Sequence, residues 1–456
     1  MDLDRKHLTD LLARERERFA ETHPESARAY AEGREHLFGG VPMTWMNKAA
    51  GRFPLYLSSA RGSRVTDIDG HEYVDLSLGD TGAMAGHSPP EVVAAIRRRI
   101  EDEGGITAMM PTENAAWVGD ELARRFGVEQ WSFTLTATDA NRWAIRLARA
   151  VTRRPKILVY AWCYHGSVDE AFALPGPGGE AVAREGNVGA PVPLSETTRV
   201  VEYNDAEALD KALAHGDVAA VLMEPALTNI GIVLPQPGYL EEVRRLTREH
   251  GTLLINDETH TFSAGPGGCT KAWGLEPDIV TIGKAIASGI PAGAYGLSAE
   301  LAARVDALSD ADLIDTGGVG GTLAGNALSV DAMRATLENV LTEAAFEGMI
   351  ARATRFTEGV QETIDRIVVA WSVVQLGARA EYRFTSPAPT SGSASADASD
   401  EDLEDYLHVY LANRGVLLTP FHNMALMSPT TSDADVDHHT ELFAAAVEDL
   451  ASPPLR

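Results

Sequence analysis

Residues 253–296 read LLINDETHTFSAGPGGCTKAWGLEPDIVTIGKAIASGIPAGAYG, and two short apolar runs inside this stretch decide the architecture of the chain. Leu253, Leu254 and Ile255 lead into Asn256-Asp257-Glu258, the pattern of a buried strand that delivers carboxylates at its end. Ile279, Val280, Thr281 and Ile282 form a second such run and lead into Gly283-Lys284. Open α/β sheets hold ligands beyond the carboxyl ends of their strands, so Asp257 and Lys284 are expected at one sheet edge. The small residues Ala287, Ser288 and Gly289 that come next leave room there for a planar ligand.

A lysine withdrawn from water gives up its proton more readily, and the free amine forms a Schiff base with a carbonyl. Pyridoxal phosphate uses both members of such a pair. Its aldehyde takes the lysine, and its ring nitrogen stays protonated beside a carboxylate. A helix-capping aspartate and a solvated loop lysine would present the same residue types, so the remainder of the chain has to separate the two readings.

The strand ending in Asp257-Glu258, the spacer, and Lys284 ahead of Gly289-Ile290-Pro291-Ala292-Gly293-Ala294-Tyr295-Gly296 resemble the signature of class III aminotransferases of fold type I. Within that class the chain is most similar to the glutamate-1-semialdehyde aminomutase and amine transaminase branches. The resemblance runs from about Gly39 to Ala445. It implies an α/β fold, with a large domain built on a mostly parallel seven-stranded sheet between helices and a smaller α+β domain drawn from both chain ends. The expected division is 1–75 and 336–456 for the small domain and 76–335 for the large, cofactor-binding one. Pyridoxal 5'-phosphate is the implied cofactor and a homodimer the implied assembly.

Other motifs take their places around that signature. Phe133-Thr134-Leu135 followed by Thr136-Ala137-Thr138-Asp139-Ala140 and a strongly helical run reads as strand, turn and helix start, where free N–H groups and the helix dipole favour a phosphate. The family writes this turn S-G-T-E-A. Alanine in place of glycine is tolerated where φ is negative, so Ala137 and Thr138 are expected to give backbone donors and Thr138 its hydroxyl. Capping by Thr136 or Thr138 alone is the plainer reading of the same residues. Tyr164 in Tyr164-His165-Gly166 matches the family's aromatic position stacked on the cofactor ring. Glu224-Pro225 matches its E-P pair, Thr259 follows the Asp-Glu pair, and Thr322 in GGVGGTLAGNALS matches the threonine that reaches a partner subunit's cofactor phosphate.

At 456 residues the chain exceeds one ordinary core, so two domains are expected. Its 39 Lys and Arg stand against 66 Asp and Glu, a formal charge of −27 that repels nucleic acid and anionic membrane surfaces. Cys163 and Cys269 are too few for a metal cluster or a disulfide framework, so no metal is expected and a reducing, cytoplasmic setting fits. No apolar run reaches the ~18 residues of a membrane span, and no signal-like core stands near Met1.

Sparse apolar residues from Leu8 to Ala31 suggest one surface or subunit-packing helix. The run GSRVTDIDGHEYVDLSL alternates as a hairpin with Asp69-Gly70 at its turn. Leu174 to Gly189 reads as a loop, and PAPTSGSASADASD, residues 387–400, as a mobile surface loop.

Substrate choice rests on departures from the family. Where glutamate-exchanging members carry a glutamate after the E-P pair and a C-terminal arginine, this chain has Asn229 and Leu426. Where aminomutases carry an arginine after G-G-V and a C-terminal glutamate, it has Met46 and Asn423. Trp45, Met46, Phe421 and His422 then outline an apolar pocket that accepts a hydrophobic amine without stranding a charge. The expected reaction is ping-pong transfer from such an amine to a 2-oxo acid such as pyruvate, with Arg383 and Arg61 as candidates for the acceptor carboxylate. A β-amino-acid transaminase, an aminomutase and a non-enzymatic cofactor-binding protein stay open as alternatives.

Overall fold

The computed structural model describes residues 3–189, 192–313 and 317–451. The chain divides into two compact units. One takes the chain up to Pro89, Glu347–Ala388 and the part from Ala398 onward; the other takes Pro90–Phe346 and Pro389–Asp397.

The second unit is built on seven strands: β1 (Gln130–Thr134), β2 (Lys156–Tyr160), β3 (Thr198–Val201), β4 (Val218–Met223), β5 (Leu253–Asp257), β6 (Ile279–Ile282) and β7 (Gly293–Leu297). Their order is β1-β7-β6-β5-β4-β2-β3. The β7 strand runs antiparallel to β1 and β6, and the other pairs are parallel. Every residue of β4, β5 and β6 is buried, which explains their near-continuous apolar sequences. Helices supply the cover. Tyr239–Glu249 buries Tyr239, Leu240, Val243 and Leu246 along one stripe, and Ala137–Thr152 buries Ala140, Ala144, Leu147 and Ala148. Each fully buried Leu, Ile or Val contributes about 1.5–3 kcal/mol.

Register aligns the two strand ends. Ile255, Asn256 and Asp257 pair with Ile279, Val280 and Thr281, so the chain leaves β5 and β6 at one level.

The first unit carries the expected hairpin, Arg64–Asp67 and Glu72–Asp75, joined by Leu57–Arg61 on one side and Val416–Leu417 on the other. A three-stranded antiparallel sheet joins Ser372–Leu376, Arg379–Arg383 and Met424–Leu426. The helix expected over 8–31 is two helices, Arg5–Thr22 and Pro24–Gly33, because Pro24 can start a helix but cannot continue one. Leu8, Leu11, Leu12 and Phe19 are buried, so the first helix is a core element and not a surface one.

Two loop expectations also change. Ala173–Pro175 and Ala181–Ala183 pair as a short hairpin inside the Gly- and Pro-rich stretch. The segment read as mobile contains a helix, Gly392–Asp397, with Gly392 and Ser395 buried. Its small side chains permit close approach and do not signal looseness: a Cβ on Gly392 would lie 2.3 Å from the Ala161 carbonyl oxygen. The Ser395 hydroxyl donates to the Ile230 carbonyl and the Ser393 hydroxyl to Glu202. Among the described residues no helix is long and apolar enough to cross a membrane.

Candidate active site

Asp257 ends β5 with its side chain only 4% exposed. Three donors converge on it. Oδ2 accepts from Asn141 Nδ2 at 2.7 Å and from His165 Nδ1 at 2.8 Å, and Oδ1 accepts from the Thr259 amide at 3.0 Å. Asn141 is itself oriented, since the Thr281 hydroxyl donates to its Oδ1 at 2.6 Å. Burial pushes the Asp257 pKa up, but the bond and charge of His165, with Thr259 and Asn141, outweigh it and hold the carboxyl below its ordinary value. Burial likewise opposes a charge on His165, yet Cys163 and Asp257 raise its pKa well above the ordinary value. A buried anion is thereby kept ionised.

Lys284 opens a short 3-10 turn, Lys284–Ala287, directly after β6 and Gly283. Its φ is +49°, a left-handed conformation that costs an L-residue about 1–2 kcal/mol and turns the chain sharply out of the strand. The Nζ atom lies 2.9 Å from His260 Nε2.

The helix Ala137–Thr152 begins beside this strand exit. Thr136 is its N-cap and accepts from the Asp139 amide at 3.1 Å, while Ala137 is the first helical residue, with the negative φ that alanine requires. Capping and a free helix start coexist. Thr136 satisfies one amide and leaves those of Ala137 and Thr138 at the helix tip. Two glycines crowd this tip. A Cβ on Gly283 would lie 2.9 Å from the Ala137 nitrogen, and one on Gly166, at φ +74°, would lie 2.0 Å from Thr138 Oγ1. The Ser167 amide donates to Thr138 Oγ1 at 3.1 Å, so that hydroxyl keeps its proton for another acceptor. The exits of β1, β2 and β6 thus meet at one helix N-terminus, suited to an anion.

Tyr164 follows β2 and is 37% exposed, with its backbone amide 3.4 Å from Glu224 Oε1. Glu224 is buried, which pushes its pKa up, and it accepts from the amide and hydroxyl of Thr228. Asn229 acts on the backbone: its Nδ2 donates to the Trp162 carbonyl at 2.9 Å and holds the turn that carries Tyr164. Thr322 is exposed on the single chain.

The pocket candidates Trp45, Met46, Phe421 and His422 belong to the other unit. Trp45 and Phe421 meet edge to face with ring centroids 5.1 Å apart, and Trp45 and Met46 line a 340 Å³ cavity with Lys48, Leu57, His408 and Leu418. His422 is 7% exposed and lies 3.3 Å from Glu381 through Nδ1. Arg383 is buried, 3.7 Å from Glu404 and bonded to Ser399, so it is already committed within the core; Arg61 is exposed on its strand. Leu426 and Asn423 are fully buried.

Sequence reasoning left Asn141, His165 and His260 without roles. Asn141 carried a readable signal, a polar residue inside the buried stripe of Ala140, Ala144 and Ala148. The other two acquire their meaning from partners distant in the chain, Asp257 for His165 and Lys284 for His260.

The class III aminotransferase family model matches residues 45–447. The chain is 34% identical over 425 residues, 91% of its length and 96% of the relative's, to a glutamate-1-semialdehyde 2,1-aminomutase of Desulfitobacterium hafniense. A glutamate-1-semialdehyde-aminomutase from Pseudomonas aeruginosa PAO1 in complex with PMP is 47% identical, with a TM-score of 0.96 over 99% of this chain and 100% of that one. An omega-transaminase from Sphaerobacter thermophilus is 28% identical, with a TM-score of 0.84 over 94% of this chain and 98% of that one. Pyridoxal phosphate fits the residues described above. They offer an ionised buried carboxylate, a lysine on the adjacent strand exit and a helix start with the Ala137 and Thr138 amides at its tip. Thr259 Oγ1 and His165 Nε2 are buried polar atoms with no hydrogen bond among the described residues.

Proposed function

The chain belongs to the class III aminotransferases, and from that premise we propose that this pyridoxal-phosphate enzyme is of the aminomutase type, moving an amino group between adjacent carbons of one small amino carbonyl compound. The observation that supports this over the amine transaminase reading is 47% identity, across nearly the whole chain, to an enzyme named for that reaction. The bound cofactor would supply the electron sink and the carrier for the amino group. Lys284 would anchor it and move the proton at the substrate carbon. Asp257, held ionised by Asn141 and His165, would keep the ring nitrogen protonated. The Ala137 and Thr138 amides with the Thr138 hydroxyl would hold the phosphate, Tyr164 would lie on the ring, and Thr259 and Glu224 would complete its surroundings. Thr322, exposed on the single chain, would reach the phosphate of a second copy in a homodimer. Two buried free thiols, Cys163 and Cys269, suit a cytoplasmic enzyme.

The test is glutamate-1-semialdehyde given to the pyridoxamine-phosphate form with no 2-oxo acid present. Shifting the amino group from carbon 2 to carbon 1 yields 5-amino-4-oxopentanoate in repeated turnovers. A product that forms only when a 2-oxo acid is added overturns the reading.

A second reading, transfer from a hydrophobic primary amine to a 2-oxo acid, is favoured by Met46 standing where aminomutases carry an arginine. Acetophenone release from 1-phenylethylamine with pyruvate would support it.

A further inference from the structure

We propose that His260 is the proton-exchange partner of Lys284, taking the surplus proton from the lysine ammonium and returning it as the amine engages and leaves the cofactor. The inference rests on the reading of Lys284 as the cofactor-carrying lysine.

The pairing is set by the sheet and not by a chance side-chain rotation. Asp257 and Thr281 are register partners on parallel β5 and β6. His260 and Lys284 each stand three residues further along, so equal excursions from paired strand ends bring them to the same level. The left-handed φ of Lys284 then turns its side chain out of the strand line, and Nζ reaches 2.9 Å from His260 Nε2. Both residues are half-buried, so solvent competes weakly for the bond.

The chemistry balances without a co-reactant. The ammonium Nζ–H bond breaks and the Nε2–H bond forms, leaving a neutral amine and an imidazolium; the reverse restores both. A lysine must be neutral to attack a carbonyl or abstract a proton, and imidazole exchanges protons near neutral pH. The titratable neighbours on the elements that carry the pair are Asp257 and Glu258 at the end of β5 and His165 after β2. Asp257 is bound by Asn141, His165 and Thr259. Glu258 accepts from the Thr261 hydroxyl and from the amides of Cys269 and Thr270. His165 is bound to Asp257. Lys284 Nζ lies within hydrogen-bonding reach of His260 Nε2.

The experiment uses the full-length chain freed of cofactor. Pyridoxal phosphate is added between pH 5.5 and 9, and two quantities are followed: the rate at which lysine-bound cofactor absorbance appears, and acetic anhydride labelling of Lys284 read by mass spectrometry. His260→Gln keeps a hydrogen-bonding side chain but cannot titrate, and His260→Phe removes the bond. In the parent, rate and labelling should rise together through the histidine range, near pH 6.5. Both variants should lose that inflection and bind cofactor about 10²-fold more slowly. If His260→Gln keeps the inflection and a rate within twofold of the parent, the proposal is overturned. Lys284→Ala separates the two claims: absorbance that persists in it rejects Lys284 as the cofactor lysine, and the His260 role falls with it.

Discussion

His165 donates from Nδ1 to Asp257 Oδ2 across 2.8 Å, and neither side chain is more than 4% exposed. One buried group thereby stabilises the charge of the other, and the carboxylate arrives at the sheet edge ionised and held in place by three donors.

Replacing Asp257 by Asn should separate cofactor binding from turnover. The neutral amide cannot hold a ring nitrogen protonated, while Lys284 and the helix start at Ala137 are untouched. Cofactor occupancy, read by absorbance, should stay near that of the parent while kcat falls by about 10² or more. Full turnover at full occupancy would exclude Asp257 as the ring partner.

Gly166→Ala should weaken cofactor binding through Thr138. The added methyl would lie 2.0 Å from Thr138 Oγ1, and the backbone there is at φ +74°. The helix tip has to yield, so the dissociation constant for pyridoxal phosphate should rise about tenfold or more, equivalent to at least ~1.4 kcal/mol. An unchanged constant in a folded variant would show that the tip is not the phosphate site.

Glu404 gives a pH-dependent stability with a definite sign. Burial pushes its carboxyl from 4.5 to about 7, with Arg383 3.7 Å away lowering it only in part. Folding therefore favours the protonated form. The stabilisation is fully present below pH 4.5 and is lost as pH rises through about 7. Glu404→Gln should thus raise Tm relative to the parent at pH 8, by an amount equivalent to about 1–3 kcal/mol, and change it little at pH 5. Equal effects at both pH values would refute the buried-acid account.

Met46→Arg tests the apolar pocket. On the second reading, transfer from a hydrophobic amine, the parent should process 1-phenylethylamine better than β-phenylalanine, because a donor lacking a carboxylate leaves no buried charge unpaired and gains ~25 cal/mol per Å² of apolar contact. The arginine should shift kcat/KM toward the amino acid by about tenfold, and should likewise favour glutamate-1-semialdehyde. A parent that already prefers the amino acid tenfold has another cation holding the carboxylate, and the apolar-pocket reading falls.

Much of this sheet edge was legible because its signals are local. Apolar runs of three to six residues specify buried strands whatever lies beside them, and Gly166 and Gly283 mark places where backbones approach too closely for larger side chains. Segments judged by composition fared worse. The Ser- and Ala-rich stretch around Gly392 reads as loose, yet its small side chains are what let it pack onto the Ala161 carbonyl.

By itself the sequence determined the principal buried strands, the sheet edge they feed and the arrival of Asp257 and Lys284 at that edge. Tertiary structure decided which groups tune them. Asn141, His165 and His260 lie 116, 92 and 24 residues from their partners. No periodicity links such positions, because hydrogen-bond partnership depends on strand order and register, which arise only when the sheet assembles.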